Sequence, residues 1–92
     1  MNSSDIETIV LQSALSTLSL DEAPFDKSLI RNLGADSLAM VEIFLSIEEK
    51  IGDDYPEMSH AELTGQYKIS YEEITLQDIC IYVVNNINGN DK

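Results

Sequence analysis

The sequence predicts an all-α fold, a small bundle of three main helices with room for a short further helix in the long second connection. Three observations carry this expectation. Apolar residues recur at helical spacing in three separate segments, residues able to cap a helix stand ahead of each, and no stretch shows the convincing alternation of a half-buried strand.

The first helix is expected over about residues 5 to 18. Ser4 and Glu7 have the spacing of a capping box, and Ile6, Ile9, Val10, Ala14, Leu15 and Leu18 follow on one face. From Ser19 to Asp36 the period lapses into a connection containing Pro24. Leu20, Phe25, Leu29, Ile30 and Leu33 can still pack inward there, so an ordered loop is expected. The second helix is expected from Ser37 to about Ile51, with Asp36 as its N-cap and Gly52 as its stop. Residues 52 to 74 are rich in turn formers, which leaves short pieces of structure around Ser59 to Leu63 and Ser70 to Ile74. Thr75 and Asp78 form another capping arrangement ahead of a last helix over about residues 76 to 87, with Leu76, Ile79, Cys80, Val83 and Ile87 in one stripe before Gly89.

Ninety-two residues, 43% of them hydrophobic, suit a single domain over 1–92 with short flexible termini. Five Lys and Arg against 17 Asp and Glu give a net charge of -12, which disfavours nucleic acid and anionic membranes and favours basic protein partners. Cys80 is the only cysteine, so no internal disulfide and no multi-cysteine zinc site can form; it reads as a small buried hydrophobe. The amino terminus shows no basic leader, and no apolar run is long enough to span a membrane, so a soluble cytoplasmic protein is expected. Asp53 and Asp54 lack the spaced oxygen ligands of a calcium loop and read as a solvated turn.

The second helix carries more apolar surface than a small bundle needs. Met40, Ile43, Phe44, Ile47 and Ile51 share the face expected to be core, while Leu38, Val41 and Leu45 form a second stripe bordered by Glu42, Glu48 and Glu49. Either the helix is central and mostly buried, or the second stripe is a recognition surface with carboxylates to steer a basic partner. Ser37 is expected in the first turn, where unpaired amides and the helix dipole favour a phosphate on its hydroxyl, although serine near a helix start needs no chemistry to explain it.

Leu33-Gly34-Ala35-Asp36-Ser37-Leu38, continuing into Val41-Glu42 and Ile47-Glu48-Glu49, resembles the phosphopantetheine attachment segment of acyl carrier proteins, with Asp-Ser-Leu at its centre. The resemblance covers about residues 28 to 51 closely, and the order of elements elsewhere, the length and the acidity agree. It implies an acyl-carrier-like bundle in which Ser37 accepts 4'-phosphopantetheine from coenzyme A, delivered by a separate holo-carrier synthase that uses magnesium only during transfer. It implies too that Asp36 assists the synthase and its metal, and that Leu38, Val41, Glu42, Leu45, Glu48 and Glu49 dock on partner enzymes with basic patches. Such a chain is a monomeric carrier, not an enzyme, with no metal of its own, delivering acyl chains to fatty-acid, lipid or polyketide biosynthetic enzymes. In this family the acyl chain can slip between helices, so Phe44 and Ile47 are candidates to line a lipid cavity.

Two departures stand out. Ala39 follows Asp-Ser-Leu where many fatty-acid carriers place another acidic residue, and the connection after the second helix is longer than the family's usual one. Its segment Gly65-Gln66-Tyr67-Lys68-Ile69-Ser70-Tyr71-Glu72-Glu73 resembles the extended region of specialised carriers that supply very long or hydroxylated chains for lipid A; a tolerated surface loop accounts for it equally. Two other readings stay open: a peptidyl or aminoacyl carrier of a nonribosomal peptide pathway, and a carrier-shaped interaction protein that never receives the arm. A serine hydrolase pairing Ser37 with His60 is disfavoured, because no Gly-x-Ser-x-Gly elbow is present and His60 falls in a weakly patterned, solvated segment.

Overall fold

A computed structural model describes residues 2–52 and 57–90, with backbone alone at 89–90. The described residues form four α-helices, α1 (Ser3–Leu18), α2 (Ser37–Ile51), α3 (His60–Tyr67) and α4 (Leu76–Asn90), with a 3-10 turn at Tyr71–Glu73 between the last two. Among the described residues the β structure is limited to one isolated antiparallel bridge between Ser28 and Thr75. Helix α1 packs on both α2 and α4, while α3 packs on α2 and on the 3-10 turn.

The main helices take the predicted faces inward. Ile6, Val10 and Ala14 of α1 meet Met40, Ile43, Phe44, Ile47 and Ile51 of α2, and Leu76, Ile79, Cys80, Val83 and Ile87 of α4 complete the core. Burying each such Leu or Ile stabilises the fold by about 1.5–3 kcal/mol relative to leaving it exposed. Cys80 is a buried free thiol, pushed up to about 11 by burial and by the nearby Glu7 carboxylate, so it stays protonated near neutral pH.

Three boundaries differ from expectation. Helix α1 begins at Ser3, because Asn2 caps it: its Oδ1 accepts from the Asp5 N–H at 2.9 Å, and Ser4 and Glu7 lie inside the helix. Asn is as good a cap as Ser, and starting there sets Asp5 in the first turn, at the positive end of the dipole. Helix α3 is longer than the expected Ser59 to Leu63, since Ser59 caps it and Leu63 anchors it in the core, which outweighs the cost of Gly65. Its end at Lys68 is left-handed, at φ 56°, without the glycine that usually marks such a stop. Helix α4 runs through Gly89 to Asn90, where a glycine late in a helix lowers its stability without ending it. Asp53 and Asp54 lie outside the described residues.

The long first connection is ordered, as its apolar content suggests, and it is fastened to the segment ahead of α4. Leu29 is fully buried and its N–H donates to the Ile74 carbonyl at 3.0 Å, while the Gln77 N–H donates to the Phe25 carbonyl at 3.1 Å. Ser28 sits at the centre of this clasp: its hydroxyl donates to the Glu72 carbonyl and accepts from the Arg31 N–H. Arg31 adds surface ion pairs to Glu73 at 3.0 Å and Glu72 at 4.0 Å; all three side chains are more than half exposed, so these contribute little beyond the hydrogen bonds. The Thr75 and Asp78 capping box forms reciprocally, at 3.0 and 3.1 Å, and starts α4 directly behind the clasp.

Candidate functional site

The clasp determines where α2 begins. Ala35 is buried and its N–H donates to the Leu29 carbonyl at 2.9 Å, so the chain is held one residue short of the cap. Gly34 makes the approach at φ +81°, a conformation other residues rarely adopt. Asp36 is extended and its Oδ1 accepts from the Ala39 N–H at 2.8 Å, while its carbonyl accepts from Met40. Ser37 is therefore the first residue of α2, exposed, beside amides that have no partner within the helix. The Asp36 carboxylate is itself exposed next to it. A phosphate ester on the Ser37 hydroxyl would stand in solvent at the positive end of α2.

The second apolar stripe is left outside the bundle. Leu38 is 65% exposed, Val41 42% and Leu45 55%, whereas Met40, Ile43 and Ile47, interleaved with them, are fully buried. Glu42 and Glu49 are exposed and Glu48 is half-buried. The one basic residue of α2, Lys50, donates to the Ser46 hydroxyl at 2.9 Å. Ser37 and the expected docking residues thus share one helix, Ser37 at its start and the stripe along its outer side.

Three features here are not readable in the sequence. The first is a notch of about 130 Å³ where α2 meets the segment entering α3, with Val41, Phe44 and Leu45 on one side and Glu57, Met58 and His60 on the other. Burial in this notch, and secondarily the Glu57 carboxylate, push Glu48 above the usual carboxylate range; the Met58 N–H works the other way. Phe44 walls this notch and Ile47 lies wholly in the core.

The second feature is Tyr82. It is fully buried, its hydroxyl donates to Glu62 and accepts from the Ser59 N–H at 3.1 Å, and its ring stands edge-on to Phe44 and Tyr67. Tyr82 thereby ties the N-terminus of α3 to α4. Burial first, and the Glu62 carboxylate next, push its phenol far above the ordinary tyrosine range. A tyrosine inside an apolar stripe signals a buried hydroxyl in need of a partner, but spacing alone does not select Glu62. The third is His60, expected in a solvated segment. It is instead the first residue of α3, half-buried, with its ring 4.8 Å from Tyr71 and 6.4 Å from Phe44. Phe44 lies seven residues, about 10 Å of helix, beyond Ser37, so these packing partners hold His60 away from the serine.

Among the described residues, no group of three or more His, Cys, Asp and Glu is disposed to hold a metal, and no helix is long and apolar enough to cross a membrane. No family model matches the chain, and no solved structure matches it significantly. Among curated proteins, the acyl carrier protein of Campylobacter hominis is 33% identical over 70 residues, covering 76% of this chain and 75% of that protein. With that similarity over most of its length and an all-helical bundle beneath it, the chain belongs to the acyl carrier protein family.

Proposed function

We propose that the chain is a single carrier domain that holds acyl chains on a 4'-phosphopantetheine arm attached to Ser37 and presents them to biosynthetic enzymes of fatty-acid, lipid or polyketide type. The observation that carries this reading is an exposed serine at the first position of α2, preceded by a capping aspartate and followed by an apolar stripe that the bundle leaves uncovered.

These residues suit the arm. Its phosphodiester would meet the free amides and the dipole at the start of α2, and Ser37 is accessible enough to be esterified without unfolding the helix. When bound, the arm supplies a thiol that carries the acyl group as a thioester. Asp36 presents a carboxylate beside the reacting hydroxyl, where it can help to hold the magnesium of a holo-carrier synthase. Leu38, Val41 and Leu45 offer apolar contact to partner enzymes; Glu42, Glu48 and Glu49 supply the negative field that steers a basic patch onto them. The domain acts as a cytoplasmic monomer, and bond-making belongs to its partners.

The test is intact-protein mass before and after incubation with coenzyme A, magnesium and a promiscuous phosphopantetheinyl transferase, with Ser37→Ala alongside. The expected result is a gain of one phosphopantetheine in the parent and none in Ser37→Ala. No gain with several such transferases would overturn the carrier reading.

A further inference from the structure

Leu38, Val41, Leu45 and Ile81 are the exposed large apolar side chains among the described residues, and of these Ile81 alone lies off α2, on α4. It borders a groove of about 520 Å³ between α1 and α4, to which α2 contributes no residue. On α4 the lining positions are 77, 80, 81, 84 and 85; on α1 they are Ser3 and Glu7. Phe25 of the first connection completes the lining, held there by its carbonyl, which accepts from the Gln77 N–H at 3.1 Å. Cys80 and Val84 give an apolar floor, Cys80 nearly inaccessible and its protonated thiol serving as a small hydrophobe.

The spacing limits the shape of an occupant. Positions 77, 81, 84 and 85 of α4 and 3 and 7 of α1 recur at three and four residues, the spacing by which helices pack on one another. On α4 they span about 12 Å, or two turns. A third helix laid along this seam would continue the packing by which the bundle itself is built. A dry cavity of about 150 Å³ holds one benzene-sized molecule, so about 520 Å³ takes roughly three large side chains from such a helix.

The charge limits its chemistry. Glu7 is the charged residue of the lining, it is exposed, and neither α1 nor α4 contains a Lys or Arg to answer it. A second copy of the chain could bring the spaced stripe of α2, but Glu42, Glu48 and Glu49 would come with it against Glu7 and a like net charge of -12. A fatty acid would set its own carboxylate in the same field. A partner helix that flanks its apolar stripe with lysine or arginine meets the floor and the carboxylate together.

We infer that the groove between α1 and α4 seats a two-turn amphipathic helix of a partner protein, its apolar stripe on Phe25, Cys80, Ile81 and Val84 and a lysine or arginine against Glu7. The contact is small, which suits a partner that binds transiently. Because the groove and the outer side of α2 are separate surfaces, a protein held here leaves Ser37 and its stripe open to a second one.

The probe is an alanine-based peptide of about 15 residues, blocked at both ends, with leucines at i, i+3 and i+7 and flanking lysines. It is titrated by NMR into ¹⁵N-labelled, unloaded protein carrying Leu38→Ala, Val41→Ala and Leu45→Ala, which removes the competing stripe, and into the parent. Saturable amide shifts centred on Glu7, Phe25, Ile81 and Val84 are expected in both. Ile81→Ala should weaken the peptide about fivefold, since at 46% exposure much of that side chain is still to be buried. Glu7→Gln should weaken it about two- to threefold while leaving a peptide with glutamines for lysines unaffected. Both positions are exposed, so both variants should fold, and thermal denaturation of each checks this. Shifts spread over the whole acidic surface, unchanged affinity in Ile81→Ala, or equal binding of a peptide with glutamates for lysines would each overturn the assignment. So would tighter binding of dodecanoate than of the peptide at these amides, or self-association of the free protein that Ile81→Ala abolishes. Ser37→Ala should bind the peptide like the parent, so failure of the mass test leaves this result intact, and failure of the peptide leaves loading at Ser37 intact.

Discussion

Leu45 and Ile47 are two residues apart on α2 and chemically similar, yet the structure gives them opposite tasks. Leu45 is 55% exposed and Ile47 is fully buried. Ile47→Ala should remove a packed side chain and leave a cavity, at a cost of about 2–5 kcal/mol. For a chain of this size that corresponds to a fall in Tm of about 10 °C or more. Leu45→Ala removes contacts already half made with water, so its cost to the fold should stay below about 1 kcal/mol. Docking reverses the order. Full burial of a leucine is worth about 1.5–3 kcal/mol, roughly half of which remains to be gained when a partner covers Leu45, so about 1 kcal/mol of affinity rides on it. That is about a fivefold rise in KM for a phosphopantetheinyl transferase that docks on this face, with kcat little changed. Loading followed by intact mass, beside thermal denaturation of both variants, measures each quantity on the same samples. If Leu45→Ala melts as early as Ile47→Ala, the outer stripe is part of the core and the docking argument fails. It fails too if a combined Leu38→Ala, Val41→Ala, Leu45→Ala variant is loaded with unchanged KM.

Other parts of the molecule give further expectations. Tyr82→Phe deletes the donor to Glu62 and the acceptor for the Ser59 N–H, which should cost about 1–3 kcal/mol near neutral pH in a denaturant titration. The folded phenol titrates well above its unfolded value near 10, so the stability tied to the neutral hydroxyl is complete below pH 10 and lost above it, at about 1.4 kcal/mol per unit. The gap between parent and Tyr82→Phe should accordingly hold below pH 10 and narrow as the pH rises from 10 to 12, and a constant gap would contradict the buried hydrogen bonds. Gly65 lies inside α3 with open space where a Cβ would go; Gly65→Ala should raise stability by about 0.5–1 kcal/mol, readable as a higher Tm by circular dichroism. Twelve excess negative charges on a small domain repel one another, so added salt or magnesium should raise Tm, and a Tm indifferent to both would count against that repulsion.

The legible elements are those whose signals agree at every level. In α2, the cap at Asp36, the inward stripe from Met40 to Ile51 and the stop at Gly52 all fall where spacing and capping chemistry put them. The Thr75 and Asp78 box is equally plain. Signals fail where two choices are chemically equivalent, as with Asn2 and Ser4 for the first cap, or where tertiary contact outweighs local preference. Gly65 argues against a helix, and α3 forms anyway because Ser59, Leu63 and Glu62 each find a partner. The partner of the Ser59 N–H and of the Glu62 carboxylate, Tyr82, lies twenty or more residues away, and no local pattern reports it.

The same distinction explains which part of the candidate site is readable. A residue recognised as surplus needs only its own helix for the inference: Leu38, Val41 and Leu45 exceed what one buried face can hold, and they remain exposed. A residue recognised as adjacent needs the fold. Glu57 and Met58 carry no periodic signal, yet they close the notch beside Leu45 because Ser59 and His60 are held by Tyr82, Phe44 and Tyr71. The clasp at Ser28 works in the same way at the other end of α2, since its bonds to Glu72 and Asn32, and that of Leu29 to Ile74, fix the approach to Gly34 and hence the position of Ser37. Both ends of α2 are thus set by contacts with the segments between α2 and α4. A change in that second connection should therefore alter partner choice even though it leaves Asp36-Ser37-Leu38 untouched.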